Sequence, residues 1–455
     1  MGLTEQIARI VTRTRWSSLG KPVVDRTLAA IKDGIAVAVA GASEAPVRIL
    51  AQHVKKLGGN AKSTVWVHGI RTTPVQAALV NGVAIHVLDF EPMWSPPTHS
   101  VSPTVPVAFA LAEMLKPAGR DIITAVAKGM EIQGRIQYAG DQYEPEHLRF
   151  HPPGVAGVMG ATVTAAHLLG LDALELRHAM GIAASRAGSL LGNVGSMVKS
   201  THCGNAAAAG LDAALLASEG FRANPDIFEA HKGFVSSFFP ERFDVDRFLA
   251  FGKPWRVVDP GLAIKLFPSQ FGTHWVATAA LDLRAKVGDP ARIKAVRIVS
   301  PVMKYVDRPK PATGLDGKFS FQYLAASGLL DGKVGIDSFT DKRRFARDME
   351  AMLARITVKQ DASIPGDWQH MRVEMTADLA DGTTASVVCR GPKGSWGLPP
   401  LLPGDHAAKL HDCLSRRLPM QQVGQLLGLV DALVENRTDT AGKIVRLIAK
   451  PSKRG

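Results

Sequence analysis

The stretch "MVKSTHCGNAAAAG" (residues 197–210) sets a lysine and a histidine, three residues apart, against a run of alanines that reads as tightly packed helix. Small side chains let helices approach closely, and the interior they form is expensive for charge. The helix is expected to open near Gly204, with Lys199 and His202 immediately before it. In that place burial and the positive helix end both disfavour a charged amine, so Lys199 could exchange protons near neutral pH. The competing structural explanation is a lysine whose stem packs while its ammonium reaches water.

Outward from this stretch, helical periodicity alternates with Gly and Pro breaks from the start to about Phe267. "PVVDRTLAAIKDGIAVAVAG" (22–41) opens on Pro22 and stops at Gly41, and "APVRILAQHVKKLGG" (45–59) stops at Gly58 and Gly59. Further helices are expected over 74–87, 106–115, 121–137, 155–169, 173–190 and 206–218. Beyond Phe267 the texture changes. "RIKAVRIVSP" (292–301) alternates at strand period, and "HMRVEMTADLADGTTASVVCRGP" (370–392) holds two alternating runs joined by Asp381-Gly382, a hairpin signal. Helical segments lie between them over 319–332 and 341–356. After the Pro-rich 398–405, amphipathic helices return over 406–415, 420–435 and 440–449. The expected fold is mainly α with an α+β second domain: a discontinuous all-helical domain (1–267 and 405–455) and a smaller α+β lid domain (268–404).

Composition bounds the function. The 455 residues are 46% hydrophobic and 21% charged, which suits a folded two-domain enzyme and argues against disorder. The formal charge of +13 is spread along the chain, aromatics are only 6%, and no nucleic-acid motif is present, so small anions are better candidate partners than nucleic acid. The longest apolar run, "GIAVAVAGA" (34–42), is far shorter than the about 20 residues a bilayer needs, so no membrane partner is expected. The N-terminus lacks a secretory pattern, and three unpaired-looking cysteines fit a reducing compartment, so the cytoplasm is the expected location. The 14 histidines form no compact metal-ligand motif, so a metal is not expected, and no nucleophile elbow, phosphate loop or dinucleotide fingerprint occurs, so hydrolase, NTPase and dinucleotide-binding functions lose their usual signatures. The glycines of "GVAGVMGA" (154–161) suit close helix contact.

Four stretches place ionisable groups among Pro and Gly. "LDFEPMWSPPTHS" (88–100) carries Asp89, Trp94 and His99 on a loop, where functional groups are usually held. "RFHPPGVAG" (149–157) sets His151 beside a helix N-terminus, which favours a bound carboxylate. The opening stretch supplies Lys199 and His202. "IKLFPSQFGTHW" (264–275) brings Lys265 and Gln270 to the expected domain junction. Each also has a structural explanation: a cap at Asp89, or a buried histidine satisfied by a carbonyl at His151.

Together these stretches, with "FHPPGVAGVMGATVTAAHLLGLD" (150–172), "GIAASRAGSL" (181–190), "GSMVKSTHCGNAAAAGLDAALLASEGF" (195–221) and "FSFQYLAASGLLDG" (319–332), resemble the MmgE/PrpD family of dehydratases, decarboxylases and epimerases. The resemblance covers most of the chain. It implies a helical domain with a smaller α+β lid, a homodimer, no metal or organic cofactor, and a small di- or tricarboxylate substrate. It also implies that Asp89, His99, His151, Lys199 and Lys265 are pocket residues, with His202 a lesser candidate. Two departures stand against the decarboxylase branch: Met93 replaces a Thr, and Gln270 replaces a His, and an amide cannot shuttle protons. By the same resemblance, the dehydratase branch fits less well, as it lacks the His-Pro-Pro pattern found here. The expected mechanism has Lys199 and His151 moving protons, Lys265 and His99 binding carboxylates, and Asp89 orienting a histidine or a substrate hydroxyl. Gln270 and Trp94 complete the expected binding set. An epimerase of an amino-dicarboxylate and a non-catalytic anion binder are the alternatives.

Overall fold

The computed structural model describes residues 1–143, 148–395, 401 and 403–449. Among the described residues, the first part of the chain is built mainly from long helices: α1 (Leu3–Arg13), α2 (Gly20–Gly41), α3 (Ala45–Leu57), α4 (Pro74–His86), α5 (Val101–Leu115), α6 (Gly119–Gly140), α7 (Pro152–Leu169), α8 (Ala173–Ala184) and α9 (Met197–Ser218). Helices α4, α7 and α9 are apolar or small on most faces, the pattern of helices enclosed by other helices. They form the centre: α9 packs along α7 and α4, and α7 along α6. Glycine makes the α4–α9 approach possible, since a Cβ on Gly82 would lie 2.9 Å from the Gly204 Cα.

Most helix positions agree with the periodicity; their ends differ for identifiable reasons. Helix α9 opens at Met197, not Gly204, because Ser196 caps it by accepting from the Val198 N–H at 3.2 Å. Lys199 and His202 therefore lie within the helix. Helix α7 starts on Pro152 and Pro153, whose missing N–H groups lose nothing in a first turn. Helix α8 ends at Ala184, short of the expected 190, and α5 starts at Val101 rather than 106. The helical part also holds a small antiparallel pair, β1 (Ser63–Val65) with β2 (Ile70–Thr72), which three-residue strands gave too little pattern to announce.

The α+β part contains a four-stranded sheet in the order β4-β3-β5-β6, formed by β3 (Ile293–Ser300), β4 (Ile356–Gln360), β5 (Val373–Leu379) and β6 (Thr384–Cys389). The β5–β6 hairpin turns where expected, with Gly382 at φ +84°. Strand β4 is a correction: the helix expected over 341–356 breaks into Asp341–Arg344 and Arg347–Leu353, and Ile356 begins a strand parallel to β3. Its β-branched Ile-Thr-Val start suits the sheet better than a helix. Helix His274–Val287 lies against β5 and β6, and helix Phe321–Asp331 against β4.

Two hydrophobic cores result. One joins the N-terminal helices to C-terminal side chains such as Leu414, Val423 and Ile444; the other runs from Phe271 to Cys389 and takes in Met93 and Ala263. The returning helix Pro403–Ser415 is pinned to α2 by a buried carboxylate, Asp33, which accepts from Lys409 Nζ (2.8 Å) and pairs with His406 (2.9 Å). Lys409 also donates to the Phe90 carbonyl at 2.6 Å, so the C-terminal segment holds the loop that follows α4. No single helix among the described residues is long and apolar enough to cross a membrane.

Candidate active site

The chain leaves α4 at His86 and turns sharply, with Asp89 in the left-handed region (φ +51°) and its N–H bonded to the His86 carbonyl at 2.8 Å. Asp tolerates this conformation better than most residues. The turn delivers the Asp89 carboxylate to the first turn of α9, where Lys199 Nζ donates to Oδ2 at 2.5 Å. Lys265 donates to the other carboxylate oxygen, to the Asp89 carbonyl (2.9 Å) and to the Ser269 carbonyl (3.0 Å). Those three bonds use every hydrogen of the Lys265 ammonium. Lys199 keeps two hydrogens without a protein acceptor among the described residues, and its ammonium lies 5.7 Å from the centre of the Phe319 ring.

Burial sets the electrostatics. It would raise the Asp89 carboxyl, but Lys199 and Lys265 overcome it and hold Asp89 well below the usual range. Burial pushes the Lys265 ammonium down to about 8 despite the opposing pull of Asp89. Burial, reinforced by nearby lysines, likewise keeps His86, His99 and His151 well below 6.5, so all three rings are neutral at physiological pH. Neutral imidazoles can both accept and donate a proton.

The rings form a connected group. His151 Nδ1 lies 3.2 Å from His202 Nδ1, so one ring donates to the other. His99 Nε2 is 3.9 Å from Asp89 Oδ1, and its buried Nδ1, 3.6 Å from Glu91 Oε1, makes no hydrogen bond among the described residues. Behind His99, His86 packs edge-on at 4.6 Å between ring centroids and shares a 2.7 Å contact with Glu91 through Nδ1. Glu91 in turn accepts from the Ser102 N–H (2.8 Å) and hydroxyl (2.6 Å), while burial pushes its carboxyl up to about 8.

Asp89, His99, His151, Lys199, Lys265 and Gln270 all line one cavity of about 260 Å³. A second cavity, about 700 Å³, lies across a wall that both share, made by Asp89, Lys199 and Phe319. Of the other two expected residues, His202 stands one step back, reaching the cavity through His151. Trp94 is fully buried, packs 3.4 Å from the position of a Cβ on Gly134, and does not line the cavity. Gln270 donates to the Tyr305 hydroxyl at 2.9 Å and accepts from the Thr273 N–H at 3.2 Å, so it serves as a fixed cap. Met93 is fixed by backbone pairing with Ala263.

Sequence reading passed over His86, Glu91, Tyr305 and Lys318, the last a buried amine bonded to the Leu88 carbonyl at 2.9 Å. His86 ends an apolar helix, where a histidine reads as a favourable C-terminal charge. Nothing in the sequence spacing signals that His86, His99 and His151 bring ring nitrogens within 4.8 Å of one another, or that a His86 ring nitrogen, a Glu91 carboxylate oxygen and the Cys203 sulfur come equally close. These groups have donor types that bind transition metals. Lys199 and Lys265, both close by, would repel a dication.

A carboxylate clamped between two ammoniums, with neutral imidazoles around the same small cavity, is the class of site that has the chemistry to hold a small anion and to move protons. Comparison with known proteins gives this class its place. The MmgE/PrpD N-terminal domain matches residues 5–246 and the MmgE/PrpD C-terminal domain residues 267–433. Cis-aconitate decarboxylase of Mus musculus is 30% identical over 462 residues, covering 99% of this chain and 94% of that protein. The Homo sapiens enzyme of the same name is 32% identical over 442 residues, covering 95% and 92%. 2-Methylcitrate dehydratase of Cupriavidus necator is 25% identical over 425 residues, covering 82% and 83%. The chain belongs to the MmgE/PrpD family.

Proposed function

We propose that the chain is a lyase that acts on a small di- or tricarboxylate by proton transfer beside a carboxylate. The observation that carries this reading is the Lys199–Asp89 contact at 2.5 Å on a cavity that also receives His99 and His151. The relatives named above are decarboxylases and a dehydratase. Both reactions place negative charge on a carbon beside a carboxylate. In a dehydration, a base takes the proton of a C–H bond, the electron pair of that bond forms the double bond, and hydroxide leaves with a proton from an acid group. In a decarboxylation, the C–C bond breaks, carbon dioxide leaves, and the electron pair left behind takes a proton.

The residues divide these tasks. Lys199, with two uncommitted hydrogens, binds a substrate carboxylate and exchanges a proton with it or with the neighbouring carbon. His151 is the second proton carrier, and His202 behind it can pass the proton on. Asp89 fixes Lys199. Lys265 is reassigned from the expected carboxylate binder, because its three hydrogens already hold Asp89 and Ser269. Gln270, with no titrating group, directs against a mechanism that needs a third histidine there.

The test is proton NMR in D₂O with a panel of di- and tricarboxylates. An alkene with loss of water marks a dehydratase, and release of carbon dioxide a decarboxylase. Exchange at a stereocentre alone marks an epimerase. Binding by calorimetry with neither exchange nor product refutes the enzymatic reading and leaves an anion binder.

A further inference from the structure

The cavity is divided in chemistry. One end gathers Asp89, Lys199, Lys265, His99 and His151; the remaining wall is largely apolar, with Met93, Leu148, Leu191, Val194, Phe271 and Trp368. Gln270 and Tyr305 are bonded to each other, so their polar atoms are partly satisfied. Among the described lining residues the cations are Lys199 and Lys265, against one anion, Asp89. The hydrogens of Lys265 are spent on protein acceptors, and burial keeps the histidines neutral. The wall therefore offers a ligand one cation with free hydrogens, supplemented by neutral imidazole donors. A compact tricarboxylate would leave at least one carboxylate against an apolar surface, where an unpaired buried charge is strongly disfavoured.

We propose that the preferred ligand is a carboxylate with at most two acid groups and an apolar arm, the acids held at Lys199 and the imidazoles, and the arm lying on the wall from Met93 to Trp368. This narrows the substrate class and rests on the reading of the cavity as the substrate site. It sets this chain apart in specificity from relatives named for cis-aconitate and 2-methylcitrate. Met93 and Gln270 belong to this device: one adds apolar surface and the other cannot become a cation.

Calorimetry of the full chain with unreactive probes tests it: succinate, 2-methylsuccinate, 2-butylsuccinate and tricarballylate. Burying one methylene is worth about a two- to fourfold gain in affinity. Affinity should climb by that factor per carbon from succinate to 2-butylsuccinate, which should bind at least about tenfold tighter than tricarballylate. Leu191→Lys, at a half-buried position outside the proton-transfer group, should weaken 2-butylsuccinate and strengthen tricarballylate. Tricarballylate binding tightest, or affinity without dependence on chain length, overturns the proposal. The enzymatic reading fails separately: a chain-length series in binding, with no proton exchange or product from any carboxylate, would keep the ligand class and remove the reaction.

Discussion

Replacing Asp89 by Asn keeps the shape of the side chain and removes the one carboxylate that faces both Lys199 and Lys265 at ion-pair distance. Removing one partner from a buried ion pair costs about 3–5 kcal/mol, because the other charge is left unpaired. The Asn oxygen can still accept one bond, so a loss near about 3 kcal/mol is expected at neutral pH. The pH dependence is more diagnostic. Burial has already lowered Lys265 to about 8, and Asp89 opposes that fall, so Asp89→Asn lowers it further. Above pH 8, folded Lys265 is largely neutral in both proteins, and this group adds nothing to their difference. Below pH 8, wild-type Lys265 is charged at no further cost, whereas in the variant each unit of pH down to the new value costs about 1.4 kcal/mol. The deficit should therefore grow as pH falls from 9 to 6.5. Urea unfolding followed by circular dichroism at pH 6.5, 7.5 and 9 measures it. A loss under about 1 kcal/mol at every pH, or a deficit that grows toward alkaline pH, would refute the reasoning.

Lys128 is buried beside His167 (3.1 Å), and burial, aided by Arg15, pushes it down to about 7. The unfolded chain holds that proton up to about pH 10.5, so wild-type stability should rise with pH between about 7 and 10.5. Lys128→Met should remove the rise and add several kcal/mol at pH 6, read from urea midpoints at pH 6 and 9.5. For Glu91, pushed up to about 8 by burial, the sign is opposite: the folded carboxyl keeps a proton that the unfolded chain loses near 4.5. Its contribution to stability declines as pH rises through that window. Glu91→Gln should be within about 1 kcal/mol of wild type at pH 5 and the more stable protein at pH 9, by the same assay. Gly82→Ala would put a Cβ 2.9 Å from the Gly204 Cα. It should cost about 1–3 kcal/mol and reduce turnover by shifting α4 against α9, with steady-state kinetics and urea unfolding as the checks.

The helical body was legible because its helices carry Pro at their starts, Gly at their ends and apolar side chains at helical spacing, as α2 and α3 do. The β5–β6 hairpin was legible from Asp381-Gly382 for the same local reason. Strand β4 was not: five residues following a helix-like run take their conformation from pairing with β3, about 60 positions earlier in the chain. Lys199 and His151 could be singled out because each stood out locally, against alanine in one case and beside two prolines in the other. Their meeting with His99, His86 and Glu91 depends on the α4–α9 crossing, which no local pattern encodes. Lys265 shows the limit most clearly: its residue type suggested a carboxylate binder, and the carboxylate it holds belongs to the protein.

Proton exchange by wild type and by Lys199→Ala, compared in D₂O on whichever carboxylate the chain binds, is the most direct measurement. Wild type should incorporate deuterium or form product, and the variant should do so at least about a hundredfold more slowly while keeping the same circular dichroism spectrum. A folded Lys199→Ala protein that exchanges at the wild-type rate would contradict the assignment of this amine to proton transfer.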